Sequence, residues 1–181
     1  MLRIGAALLL VSLTGLSAGG WAFGIGGGGI NYISSDTLSV YGVNVGRPGW
    51  RLDAEAGYYS GREGFNILGV WAESFTRIDS SSSYLRDSHA ALMGEYRLFL
   101  LDSAGIIQGA VGLGPSLHFP RYRSGGTVHG YPPVFSIDAE AACILFVSEH
   151  FLIRLQGVYS FMPLYPRNGI ASISLRAVLR S

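Results

Sequence analysis

Along six stretches of this chain apolar and polar residues alternate one by one, and in every stretch the charges keep to a single face. Trp50–Tyr59 sets Trp50, Leu52, Ala54, Ala56 and Tyr58 against Arg51, Asp53, Glu55 and Gly57. His89–Leu100 sets Ala90, Leu92, Gly94, Tyr96, Leu98 and Leu100 against His89, Ala91, Met93, Glu95 and Arg97. The same division runs through Ile106–Phe119, Phe135–Val147, Phe151–Phe161 and the closing segment Ala171–Leu179. A period of two is that of a β-strand, whose side chains leave alternately from its two faces. Each stretch therefore reads as a strand with one apolar and one polar surface.

Composition narrows where such strands can live. Hydrophobic residues make up 49% of the 181 and charged residues only 14%, against roughly 25% charged in an average soluble domain. Segments of about ten residues separated by turns, one face for lipid and one for a polar lumen, form the pattern of a transmembrane barrel. Hydrocarbon admits only helices or closed barrels, because open sheet edges would leave backbone groups unpaired. Helical periodicity is weak throughout. The expected fold is all-β: a transmembrane antiparallel up-and-down β-barrel of eight strands. The 13 basic residues, all Arg, nearly balance 12 acids, so there is no basic surplus to displace counterions from nucleic acid. The lone Cys143 excludes an intrachain disulfide and a cysteine metal cluster.

Strand count needs a choice. Leu38–Gly46 reads as a further strand, and Phe23–Ile33 and Phe65–Ile78 as weaker ones, which makes nine. A bacterial barrel takes an even number. Eight spanning strands are expected, with Phe23–Ile33 the first and Phe65–Ile78 partly outside as an arm or long loop. Arg47-Pro48-Gly49, Asp102–Gly105 and Ser148–His150 read as tight inner-side turns. Asp79–Ser88 and Pro120–Pro133 read as the longer outer-side loops.

Residues 1–22 read as a signal peptide. Arg3 supplies a positive charge, and Ile4–Leu16 is an apolar run shorter than the ~20 residues of a spanning helix. Small residues follow and allow cleavage after Ala22 or after Ala18. With the first, the barrel domain is 23–181. The expected location is the outer membrane of a Gram-negative bacterium. Outer-membrane lipids, lipopolysaccharide and the barrel-assembly machinery are the expected partners, with no nucleic acid.

The polar faces converge on the lumen. Arg51, Asp53, Glu55, Glu95, Arg97, Asp138, Glu140, Arg154 and Arg176 are expected there. The interior of an eight-stranded barrel is just wide enough for side chains to fill. Unpaired buried charges cost several kcal/mol each, so an interlocked salt-bridge network that plugs the barrel is the economical arrangement. Arg suits it, because its planar fork grips carboxylates bidentately. A narrow ion path is the functional alternative.

Catalytic and cofactor motifs are not found. No nucleophile elbow, HExxH, Walker loop or EF-hand pattern occurs. Gly24–Gly29 lacks the following helix of a phosphate loop and reads as a glycine-rich strand. His89, His118, His129 and His150 are scattered without ligand spacing, so no metal or cofactor site is expected. Ser148-Glu149-His150 holds triad residue types, but consecutive turn positions cannot take triad geometry. Cys143 is expected to face lipid. Tyr32, Tyr58, Tyr59, Trp71, Tyr96, Tyr159 and Tyr165 fall near strand ends, as in aromatic girdles. Arg121 and Arg123 are placed where they could touch lipopolysaccharide phosphates.

The segment IIQGAVGLGPSLHF at 106–119 resembles the glycine-studded central strand of small eight-stranded outer-membrane barrels of the OmpA/OmpX-like type. SIDAEAACILFVSEHFLIRLQGVYSF, ending at Phe161, is similar to their penultimate hairpin. That resemblance implies membrane anchoring, adhesion or lipid A modification. PRNGIASISLRAVL also resembles the end of the lipid A 3-O-deacylases, whose catalysis uses a His-x-Ser pair and a Glu in the last two strands. Here the matching regions read GVYSF and GIASIS: the His is missing, and Ala171 or a neighbour stands where the Glu would be. Ser160 has no base beside it in sequence, so no catalytic residue is carried over. The chain also ends Leu179-Arg180-Ser181, without the terminal aromatic residue common in such barrels. The resulting expectation is a non-enzymatic barrel of structural or surface-interaction role. The alternatives are a lipid A or phospholipid acyl hydrolase on the same barrel, and a narrow pore.

Overall fold

In the computed structural model, which describes residues 19–34, 48–78, 81–98, 106–124, 126–164 and 168–181, the alternating segments are strands. They run in chain order as β1 (Gly20–Ser34), β2 (Pro48–Ser60), β3 (Glu63–Ile78), β4 (Ser81–Leu98), β5 (Ile107–Ser124), β6 (Thr127–Gly130), β7 (Val134–Phe146), β8 (Phe151–Phe161) and β9 (Asn168–Arg180). All pairing is antiparallel; β4 joins β5, β5 joins β7, and β9 returns to β1. Eight strands thus close on themselves and leave no edge, while β6 lies only against the far end of β5. The barrel has two rims. Gly20, Arg180 and the β2–β3, β4–β5 and β7–β8 connections share the terminal rim, and the remaining connections share the loop rim.

The eighth wall strand is β3. Phe65–Ile78 is paired with β2 from Ser60↔Glu63 to Gly49↔Ser74 and with β4 over its whole length, so it is not an arm outside the wall. Only Phe75–Ile78 run beyond β2. Leu38–Gly46 lies outside the described residues, as does Asp102–Gly105. Pro48 and Gly49 open β2 opposite Asn31 and Ile30 at the loop rim, so Arg47-Pro48-Gly49 is not an inner-side turn. The β2–β3 reversal on the terminal rim is made instead at Gly61, whose φ of 59° supplies the left-handed conformation a two-residue hairpin needs.

Two segments read as loops are strands that continue the wall and, at their ends, outrun it. Ser81–Ser88 belong to β4 and continue its ladder with β3 out to Ile78↔Ser81. Pro120–Ser124 continue β5 and fold back through Gly126, at φ 88°, into the fully exposed β6. Beyond a bilayer both faces of a ladder are wet, so period-two hydrophobicity vanishes while backbone pairing persists.

Side chains sort by parity as the alternation demands. Outward positions keep large apolar groups exposed, among them Ile25 at 72% and Leu113 at 63%. Inward positions are buried: charged at mid-barrel, apolar towards the terminal rim, and towards the loop rim divided between an apolar cluster and the polar Asp87, His89 and His118. Ala22, Tyr59, Ala110, Ile144, Leu152 and Val178 pack together inside the terminal rim. Ile30, Tyr32, Val70, Val134, Met162 and Ile170 belong to a second apolar cluster towards the loop rim. Tyr32 and Tyr59 are therefore interior groups rather than girdle residues. Tyr58 is also buried, on the outer face against Trp21, with ring centroids 5.3 Å apart. Trp71, Tyr96 and Tyr159 are exposed on the outer wall, and Tyr165 lies outside the described residues.

Candidate functional site

The glycine-rich β1 makes room for the charges. Gly26 lies between Arg176 on β9 and Asp53 on β2. A Cβ on Gly26 would fall 2.5 Å from Arg176 Cγ and 2.3 Å from the Leu175 carbonyl oxygen. Without it the Arg176 side chain crosses β1 and donates to the far strand. Its Nε and Nη2 reach the two Asp53 oxygens at 2.8 and 3.3 Å, and its Nη1 donates to Glu55. Arg51 completes this side, with Nη2 2.9 Å from Asp53 Oδ2 and Nη1 donating to Ser172.

A second group centres on Arg154 of β8. Its Nη2 donates to Glu95 at 2.6 Å and also to Glu140, and its Nε donates to Gln156 at 3.1 Å. Asn66 and the Tyr59 hydroxyl donate to the same Glu95 oxygen, each at 3.3 Å. Arg97 lies 3.9 Å over the Tyr59 ring, with its Nε 3.4 Å from Glu95. One guanidinium shared by two carboxylates, with amide and phenol groups filling the remaining valences, is the condition under which buried ions are tolerated.

All nine charges expected in the lumen point inward and are buried. They fall into the two groups just described, apart from Asp138, which belongs to a third. There His118 Nδ1 is 2.7 Å from Asp87 Oδ2, and His118 Nε2 lies 2.9 Å from Ser136 Oγ and 3.1 Å from Ser116 Oγ. Both hydroxyls donate to Asp138 Oδ1, at 2.9 and 3.0 Å. His89 packs on His118 with ring centroids 4.4 Å apart.

The histidines are thus not all scattered: His89 and His118 are directly opposed in the β4–β5 register. Asp87 sits two residues before His89, in the serine-rich stretch that reads as a loop. The signal was there in part, since both histidines occupy the polar parity of their strands. Their meeting depends on register, which a period alone does not give. His129 and His150 are exposed and far apart in the fold, at the loop and terminal rims.

The Asp87–His118–Ser136 connectivity is that of a catalytic triad, but its members are fully buried on the lumen side of the wall rather than set on its lipid-facing side. Ser160 is likewise a buried inward residue. Cys143 is exposed on the outer wall.

No protein-family model matches the chain, and no curated protein does. Solved structures do match. Neisserial surface protein A (NspA) superposes with a TM-score of 0.65 at 12% identity, over 88% of this chain and 96% of that one. Ail, the attachment invasion locus protein of Yersinia pestis, solved with the heparin analogue sucrose octasulfate, gives 0.56 at 14%, over 91% and 99%. The N-terminal β-barrel domain of Pseudomonas aeruginosa OprF gives 0.52 at 10%, over 88% and 97%. The shared property is the fold, a closed eight-stranded antiparallel β-barrel.

Proposed function

We propose that this chain is a non-enzymatic outer-membrane protein of a Gram-negative bacterium, anchored by its barrel and acting through structural or surface interactions. The observation that carries this reading is the pairing of an exposed apolar wall with an interior of interlocked charges closed by apolar side chains towards each rim. The wall demands lipid, and the interior has the chemistry of a plug. With the tight turns such as that at Gly61 on the periplasmic side, as the general rule for transmembrane barrels places them, the loop rim faces outward. The prolonged β3–β4 and β5–β6 ladders then stand above the membrane as the interacting parts.

Lipopolysaccharide is the partner this surface suits. Arg86 and Arg121 are opposed in the β4–β5 register on the outer face. Arg86 lies 4.5 Å over the Trp71 ring and 2.7 Å from Glu73. An exposed tryptophan beside guanidiniums marks an interface where lipid phosphates sit. The test incubates the folded barrel with purified lipopolysaccharide in detergent micelles, then follows co-migration and the mass of lipid A. Co-migration with unchanged lipid A is expected. Loss of an acyl chain would establish the hydrolase instead and direct mutagenesis to Ser160 and Ser136. Absence of co-migration would remove lipopolysaccharide as a partner.

A further inference from the structure

We propose that Asp87, His89 and His118 form a binding site for one divalent transition-metal ion, of which zinc fits the ligand set, inside the barrel towards the loop rim. Each residue offers one ligand atom, and these atoms lie within 4.8 Å of one another. Asp87 Oδ2 is 3.6 Å from His89 Nδ1 and 2.7 Å from His118 Nδ1. Zinc holds N and O ligands at ~2.0–2.2 Å in a tetrahedron, which separates ligand atoms by roughly 3.3–3.5 Å. The first distance already matches, and the second needs a retreat of less than about 1 Å. Two imidazoles and one carboxylate leave a fourth position open, as in zinc sites with three protein ligands.

Three further observations point to a cation. Nδ1 of His89, one of the three ligand atoms, is buried without a hydrogen-bond partner, a cost of ~1–3 kcal/mol that coordination removes. The surroundings also supply the outer shell such a site requires. With His118 Nδ1 on the metal, its Nε2–H donates to Ser136 Oγ, whose own proton goes to Asp138. Ligating histidines ordinarily hand their second N–H to an oriented acceptor in this way. Finally, the described lumen holds six carboxylates, with Asp87 and Asp138 added to Asp53, Glu55, Glu95 and Glu140, against four guanidiniums. A dication at Asp87 balances the two in excess.

The experiment uses barrel carrying no histidine tag, refolded in detergent with zinc present so that the buried site can load, then freed of excess metal by gel filtration. His129→Ala/His150→Ala removes the exposed histidines. This variant is expected to retain one zinc per barrel, and His89→Gln added to it to weaken retention more than about a hundredfold, beyond the 10–100-fold cost of losing an outer-shell partner. No zinc on His129→Ala/His150→Ala, or equal zinc on the folded His89→Gln form, would overturn the site. Should His89→Gln not fold, zinc-edge X-ray absorption on the loaded His129→Ala/His150→Ala barrel decides. Two imidazoles with oxygen ligands uphold the proposal, and fewer than two imidazoles refute it.

Discussion

Arg154 holds Glu95 and Glu140 together inside the wall, so its removal leaves two adjacent carboxylates with no cation between them. Arg154→Ala should lower stability by about 3–5 kcal/mol, read as a shifted urea midpoint for the barrel in phospholipid vesicles. Removing the charges as well, in Arg154→Met/Glu95→Gln/Glu140→Gln, should restore most of the loss. Two neighbouring glycines separate close approach from mere flexibility. A Cβ on Gly28 would lie 1.9 Å from the Ile173 carbonyl oxygen, whereas one on Gly29 meets nothing nearer than 3.9 Å. Gly28→Ala should therefore destabilise by more than the ~1–3 kcal/mol of ordinary overpacking, and Gly29→Ala by under about 0.5 kcal/mol; the same unfolding assay ranks them. At this scale the nine inward charges were legible because parity alone assigns a face. Tyr32 and Tyr59 follow parity too: nearness to a strand end suggests a girdle position, but their parity turns both side chains into the interior. The His89–His118 pair was illegible, since two residues on different strands meet only once register is known.

At the scale of the element, legibility followed the lipid. Strands with one face in hydrocarbon announce themselves, and the wall portions of β2, β5, β7, β8 and β9 lie where the alternation puts them. β3 was harder to read because its inward face carries Leu68, Val70 and Ala72 towards the apolar cluster, which erases the contrast between its two sides. The outer ends of β4 and β5 carry no apolar stripe and were read as loops. The start of β1 bears on processing. Trp21 and Ala22 pair with Tyr58 and Gly57, Ala22 also pairs with Arg180, and Ser181 N–H donates to the Trp21 carbonyl at 2.9 Å. Cleavage after Ala22 would remove this corner of the seam, and cleavage after Ala18 would keep it. The mature N-terminus is accordingly expected at Gly19. Intact-mass measurement of the exported protein checks this, and a chain beginning at Phe23 would contradict it.

For the whole molecule, closure and fill are coupled. Eight strands leave space for side chains alone, and among the described residues that space is occupied by two ion-pair groups, one histidine–carboxylate group and apolar clusters at both ends. A barrel filled in this manner should show no steady conductance in planar bilayers, and Arg154→Ala should change its stability without opening a channel. Sustained single-channel currents from the wild-type protein would mean that the apolar clusters part. The account as a whole stands on lipid being the solvent of the outer wall. Its most direct test refolds the chain into phospholipid vesicles, floats them on a density gradient and digests the outside with protease. The prediction is a strand-rich protein that travels with the vesicles and is cut only in its connections and projecting ladders. A folded monomer that stays in aqueous buffer without detergent, leaving the vesicles bare, would contradict it.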